Sequence, residues 1–212
     1  MIIVLALAIA IAAMSLALYF ILSTSTGGEK SLSAREASET ALQYGRENLA
    51  DHVYVLALQS QGAVGADGKS TEWLFWIDSL TRNISKWTSV PGRYWINASC
   101  VKVKGGTAEY VGHTMAIYDS LKPTQFHPIL FGDWADSTAI TSMIDSEMAV
   151  RHSGSTYKID YMWIYYWGSG PAGVSNELSW RVRVSYDTGS ATGSVGFSFT
   201  PQGTLIGIEE GY

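Results

Sequence analysis

Met1 to Leu22, MIIVLALAIAIAAMSLALYFIL, contains no charged residue. A helix of about 20 apolar residues spans the hydrocarbon core of a bilayer, and few water-soluble folds absorb a run of this kind. Ile2, Ile3, Val4, Leu5, Leu7, Ile9, Ile11, Leu16, Leu18, Phe20, Ile21 and Leu22 all lie in it. Each large aliphatic side chain left in water costs roughly 1.5–3 kcal/mol. The segment is therefore expected in lipid, or bundled against copies of itself in the core of an assembly. Ala6, Ala8, Ala10, Ala12, Ala13, Ser15 and Ala17 are small enough for close helix approach. A secretory signal peptide has a shorter apolar core behind a basic stretch. Here the first charges, Glu29 and Lys30, stand on the far side. The missing basic flank predicts a basic leader removed before Met1, with a plain membrane anchor as the alternative.

The residues after this run extend the constraint. Gly27 and Gly28 form a weak point, since glycine in a helix costs about 1 kcal/mol relative to alanine. From Glu29 to about Gln59, Leu32, Ala34, Ala37, Ala41, Leu42, Leu49, Val53, Leu56 and Ala57 recur at three- and four-residue steps. Glu29, Lys30, Arg35, Glu36, Glu39, Arg46, Glu47 and Asp51 populate the other face. Taken together, the two parts predict a helix of about 58 residues and about 87 Å.

These features resemble type IV pilins and their relatives: PilX-like bacterial pilin-like proteins, archaeal pilins and archaellins, and secretion pseudopilins. The likeness covers about a quarter of the chain: the apolar run from Met1 to Leu22, the Gly27-Gly28 weak point and the amphipathic continuation through Ala57, with its Ala-rich stretch from Ser33 to Leu42. Bacterial major pilins carry Glu at the fifth mature position, where this chain has Leu5. That departure favours a PilX-like, pseudopilin-like or archaeal relative. The resemblance implies an extracellular filament subunit, membrane-inserted before assembly, whose identical copies polymerise through residues 1–28. It also implies a prepilin peptidase, an assembly ATPase and a platform protein as partners. A minor pilin or pseudopilin, or a single-pass anchored ectodomain that binds a ligand through its aromatics, are the alternatives.

Beyond the helix, composition divides the chain into residues 1–28, an amphipathic continuation 29–60 and a head 61–212. Trp73, Ile77, Leu80, Ile84 and Trp87 predict a short helix, and Ile140, Met143, Ile144 and Met148 another. Strands are expected over 94–104, 109–118, 157–167, 178–186, 194–200 and 204–209, with short links that favour antiparallel pairing. The expected fold is thus α+β: a long N-terminal helix packed on a C-terminal antiparallel β-rich head. Alternating aromatics in 157–167 fit either a packed core or an adhesive, sugar-binding face. Asn83-Ile84-Ser85 and Asn97-Ala98-Ser99 match the N-glycosylation pattern at Asn83 and Asn97.

No pattern points to catalysis, a metal or a cofactor. The net charge of -5 argues against nucleic acid, which calls for clustered Lys and Arg. Cys100 is the single cysteine, which excludes an internal disulfide, and its strand context predicts a buried thiol. His52, His113, His127 and His152 lack metal-ligand spacing. Asp133, Asp136 and Asp145 lie near one another in the chain but without a 12-residue calcium loop. The chain is expected to be structural and not an enzyme.

Overall fold

The computed structural model describes residues 29–79, 81, 82, 84, 86–90, 93–119, 134–166 and 178–211. The filament-core residues from Ile2 to Leu22, the Gly27-Gly28 weak point and Asn83 lie outside them. Residues from Ser31 onward form one compact unit.

Helix α1 spans Ala34–Asn48. Ser33 starts it with a reciprocal cap: its hydroxyl accepts from the Glu36 N–H at 3.2 Å, and its own N–H donates to the Glu36 carboxylate at 2.8 Å. Leu49 ends it, its N–H turning back to the Gly45 carbonyl at 2.8 Å. Strand β1, Val53–Ser60, follows after four residues. The amphipathic helix expected over 29–60, and with it the 87 Å rod, is therefore corrected. Val55, Leu56, Ala57 and Leu58 are consecutive and all buried. A strand covered on both faces carries a continuous apolar run, which mimics the apolar stripe of a helix. No helix among the described residues is long and apolar enough to cross a membrane. The long pilin-type helix on a head, and the transmembrane helix expected with it, are thus replaced in the described residues by a short helix that passes directly into a sheet.

The remaining elements are β2 (Glu72–Ser79), β3 (Lys86–Val90), β4 (Arg93–Lys104), β5 (Thr107–Asp119), α2 (Ser137–Arg151), β6 (Thr156–Tyr166), β7 (Leu178–Asp187), β8 (Thr192–Phe199) and β9 (Leu205–Gly211). The helix expected around Trp73–Trp87 is thus two strands, β2 and β3. In β2 the true period is two: Trp73, Phe75 and Ile77 are fully buried, with Leu74 and Trp76 between them on the other face. The heptad-like spacing of Trp73 and Trp87 is a coincidence between two separate strands, and Leu80 lies outside the described residues.

The nine strands of the described residues join one antiparallel sheet. Across it the order is β5-β4-β2-β1-β6-β7-β8-β9, with β3 beside the first half of β4 on the edge that β2 shares. The order reads symmetrically about the β1–β6 seam. Each half is a helix followed by four long strands, α1-β1-β2-β4-β5 and α2-β6-β7-β8-β9. Matching details show a repeated unit. Trp73 of β2 donates its indole N–H to Leu32 O at 2.9 Å, just before α1. Trp180 of β7 donates to Ala135 O at 3.1 Å, just before α2. β1 bulges between Val55 and Ala57 against β2, and β6 bulges between Ile159 and Tyr161 against β7.

Both helices cover one face of the sheet. Ala34, Ala37 and Ala41 of α1, with Ile140, Ile144 and Met148 of α2, close a single core over Trp73, Phe75, Val101, Ile164, Trp180, Val182 and Phe197. The loop before β2 seats against the start of α2 through Gly68. Its φ is +74°, and an added Cβ would lie 2.6 Å from Thr138 Cα and 2.7 Å from Ser137 O. Gly105, at φ +59°, has nothing within 4 Å of that position. Gly105→Ala should therefore cost only the left-handed penalty of about 1–2 kcal/mol. Gly68→Ala should cost about 2–5 kcal/mol, because backbone cannot yield as a side chain does. Urea unfolding of both variants checks this, and equal losses would show that the approach of residue 68 to α2 is immaterial.

Candidate functional site

The sheet face opposite the helices is the place where side chains are not consumed by the core. Strand register places them in rows, since directly paired residues share a face. One row runs Gln59–Trp163–Arg181–Ser198–Gly207 across β1, β6, β7, β8 and β9. The next runs Tyr161–Arg183–Gly196–Glu209. Trp163, Arg181 and Ser198 of the first row, with Tyr161, Arg183, Gly196 and Glu209 of the second, line a shallow cavity of about 280 Å³. Its floor is β8, where Ser194, Gly196 and Ser198 are small, and its flanks rise on β7 and β9. Two inter-strand spacings separate those flanks, about 9.5 Å.

The polar groups of this face are arranged as opposed charges. Arg181 Nη1 stands 3.9 Å from Glu209 Oε1 across the floor, the arginine side chain 15% exposed and the glutamate 58%. Arg183, exposed, donates from Nη2 to Ser194 Oγ at 3.3 Å. Lys158 Nζ lies 3.3 Å from Asp160 Oδ1, and Asp160 also accepts from the Ser185 hydroxyl. Tyr161 and Trp163 meet edge to face with ring centroids 5.2 Å apart. In each ion pair one partner is well exposed, Glu209 at 58% and Lys158 at 70%, and solvent screening keeps the contribution to stability small.

The other half of the molecule tests that statement, because the repeat supplies an equivalent residue for each position. Register and bulge align Leu56 with Asp160, Ala57 with Tyr161, Leu74 with Arg181, Trp76 with Arg183 and Cys100 with Gly196. In the first half, Leu56, Ala57 and Cys100 are buried on this face at 2%, 3% and 1% exposure. Cys100 is thus the buried strand thiol expected. The same scaffold is built with apolar residues at positions where the second half carries a carboxylate, a phenol and two guanidiniums. The first half also holds Tyr54 opposite Asp78 on this face. Burial, then the Asp78 carboxylate, push its phenol up to about 12.

The structure disperses most of the other candidates. Asn97 lies within β4, its backbone paired with Lys86 on one side and Met115 on the other. His113 bonds Tyr110 Oη at 2.7 Å and Ile84 O at 2.9 Å. His152 closes α2, stacks on Tyr186 with centroids 4.0 Å apart, and reaches Glu210 at 3.4 Å. Asp136 caps α2, and Asp145 accepts from the Tyr157 hydroxyl. His127 and Asp133 lie outside the described residues. Among the described residues no group of three His, Cys, Asp or Glu side chains is placed to hold a metal ion. The aromatics divide: Trp73, Trp134 and Trp180 are buried, whereas Tyr161 and Trp163 flank the cavity. The bulge at Asp160 breaks the alternation of 157–167, so that Ile159 and Tyr161 do not share a face. Arg181, Arg183 and Glu209 were not singled out from the sequence. Their signal was the strict alternation Trp180-Arg181-Val182-Arg183-Val184, one face apolar and one cationic. The chain matches no family model, no curated protein and no solved structure.

The Tyr54 phenol gives a pH dependence. With the folded value raised from 10 to about 12, its contribution to stability is complete below pH 10 and is lost as pH rises towards 12. The stability difference between the native chain and Tyr54→Phe should therefore shrink from pH 9 to pH 11. Urea midpoints at those pH values measure it, and a constant difference would show an ordinary phenol.

Proposed function

We propose that this chain is a non-enzymatic ectodomain, held to lipid by its apolar segment 1–22, whose open sheet face binds a ligand. The observation that carries the proposal is the contrast between the two halves. Where Leu74 and Trp76 suffice for the fold, the repeat has Arg181 and Arg183, aligned by strand register. Arg183 and Glu209 are exposed on this face, and the aromatic pair beside them adds contact area at small entropic cost. The apolar segment supports placement at a membrane, because water is a prohibitive solvent for it.

A filament subunit is the second proposal, with residues 1–22 packed against copies of themselves. Support for it comes from the small residues of that segment, Ala6, Ala8, Ala10, Ala12, Ala13, Ser15 and Ala17.

Flotation of the full chain with phosphatidylcholine vesicles, followed by electron microscopy of sheared producing cells, separates the two. The ectodomain proposal expects the chain to float with vesicles as single copies, and sheared material to contain no filament built from it. Arg181→Leu together with Arg183→Trp, which install the residues of the first half, should leave flotation and melting temperature within about 3 °C of the native chain. Filaments composed of this chain would overturn the first proposal in favour of the second.

A further inference from the structure

We infer that the ligand of the open face is an extended peptide segment of a partner protein, which adds as a strand to β9; this rests on the ligand-binding proposal above. β9 is paired with β8 on one side and with no strand on the other among the described residues. Alternate residues of an edge strand turn N–H and C=O outward, and an extended peptide satisfies them by continuing the ladder. From Gly207 to Gly211 the β8–β9 register is unbroken, its irregularity lying earlier, at Ile206. The opposite edge is less suited. β5 bulges at Val111 in mid-strand, with Gly112 at φ +113°, and a bulge twists an edge away from a new partner. Its side chains are already engaged, Glu109 with Lys102 and Tyr110 with His113.

Side chains decide which peptide fits. On the cavity face β9 presents Gly207, Glu209 and Gly211. Glycine inside a strand weakens it and often marks the close approach of another chain. Neither turn geometry nor packing demands Gly207: its φ is not positive, and an added Cβ would meet nothing nearer than 3.7 Å. The two glycines leave notches in the outer flank of the cavity, one on each side of Glu209. Gly207 continues the row of Arg181 and Ser198. Arg181 already reaches β9, its Nη1 standing 3.9 Å from Glu209 Oε1. A peptide strand lies about 4.8 Å beyond β9, so a carboxylate opposite Gly207 can cross the notch and meet that guanidinium. Beside Gly211 stands the Ser194 hydroxyl, 2.9 Å from where a Cβ would be, and it accepts from Arg183 at 3.3 Å. A carboxylate opposite Gly211 would join that pair. Glu209, exposed between the notches, calls for a cation directly opposite. On the helix face Ile208 packs on the core and calls for an apolar neighbour, while Glu210 lies 3.4 Å from His152. The fitting order is therefore acidic, apolar, basic, apolar, acidic.

The test is titration calorimetry of the full chain in nanodiscs with the peptide acetyl-Thr-Glu-Val-Lys-Val-Glu-Thr-amide, whose palindromic order suits either strand direction. One N-methylated form carries methyl groups on the charged residues and another on the valines; only one backbone edge of the peptide can pair with β9. A charge-reversed peptide exchanges Glu and Lys. Two variants complete the set: Gly207→Val fills the notch with a residue suited to strands, and Arg181→Leu takes the residue of the first half, Leu74. Their melting temperatures are checked beside the native chain. The expected result is binding that one N-methylated form keeps and the other loses, weakened about tenfold or more by charge reversal and by each variant with folding retained. Equal binding or equal loss in the two N-methylated forms would overturn strand addition. Charge reversal without effect would overturn the order of charges. Binding unchanged in both variants would overturn the assignment to the cavity side of β9. If no peptide binds, the peptide partner is overturned, and phenylglyoxal labelling then decides the wider proposal. Ready modification of Arg183 in the full chain keeps the face as a binding surface, and protection of it removes that as well.

Discussion

The β1–β6 pairing is the contact on which the rest of the molecule depends. It is short, with Leu58 opposite Ile164 and Gln59 opposite Trp163, yet it makes one sheet of two. A buried hydroxyl reinforces it: Ser60 Oγ, in a residue 1% exposed, accepts the Met162 N–H at 2.9 Å. Without this seam each half would present a long apolar strand edge, the kind of edge that invites pairing with other chains. The helical layer is stitched at the same place. The first two N–H groups of α1 have no partner within the helix. Ala34 N–H donates to Ser137 Oγ at 2.8 Å and Arg35 N–H to Asp136 Oδ1 at 2.9 Å, so residues opening α2 satisfy the start of α1. Arg35 also sits over the Trp134 ring, 5.3 Å from its centroid.

Seam and site are linked through Trp163. Its backbone pairs with Gln59 across the junction, while its ring opens the row that continues through Arg181 to Gly207. The cavity therefore begins where the two halves meet and runs outward over the second. Its floor is rigid because β8 is held on both sides. Its polar rim is adaptable, because Arg183 and Glu209 are exposed on long side chains. A rigid floor and an adaptable rim are thus set side by side on one face.

Much of the second half was legible in the sequence. The strands of residues 178–186, 194–200 and 204–209 stand within two residues of β7, β8 and β9 at most of their ends, because alternation and glycine turns mark them plainly. The first half was harder for a physical reason. β1 is buried on both faces and β2 begins beside Trp73, so apolar residues recur without clean alternation, and spacing alone favoured helix. The capping box of Ser33 and Glu36 falls inside the span that periodicity assigned to one long helix, and nothing local marks the end of α1 at Asn48. The repeat was also present in the sequence, in Trp73-Leu74-Phe75 against Trp180-Arg181-Val182 and in Gly106-Thr107 against Gly203-Thr204. It was faint because only core positions match. The cavity was illegible for the complementary reason: Tyr161, Arg181, Gly196 and Glu209 come from four strands, and only register brings them into adjoining rows.

The correspondence of the two halves holds in the cores and fails on the outer faces, for a physical reason. In a repeated unit, buried positions are held by packing, where losing a few methylenes costs several kcal/mol. Trp73 and Trp180, Phe75 and Val182, and Ile77 and Val184 accordingly stay large and apolar. Positions on the far face are under no such constraint, and each copy settles its own. In the first half Leu56, Ala57 and Cys100 make that face further buried surface. A face buried in this way adds apolar area to the fold and so offsets a second face left polar. The apolar first half thus supplies burial that the charged and aromatic row of the second half does not.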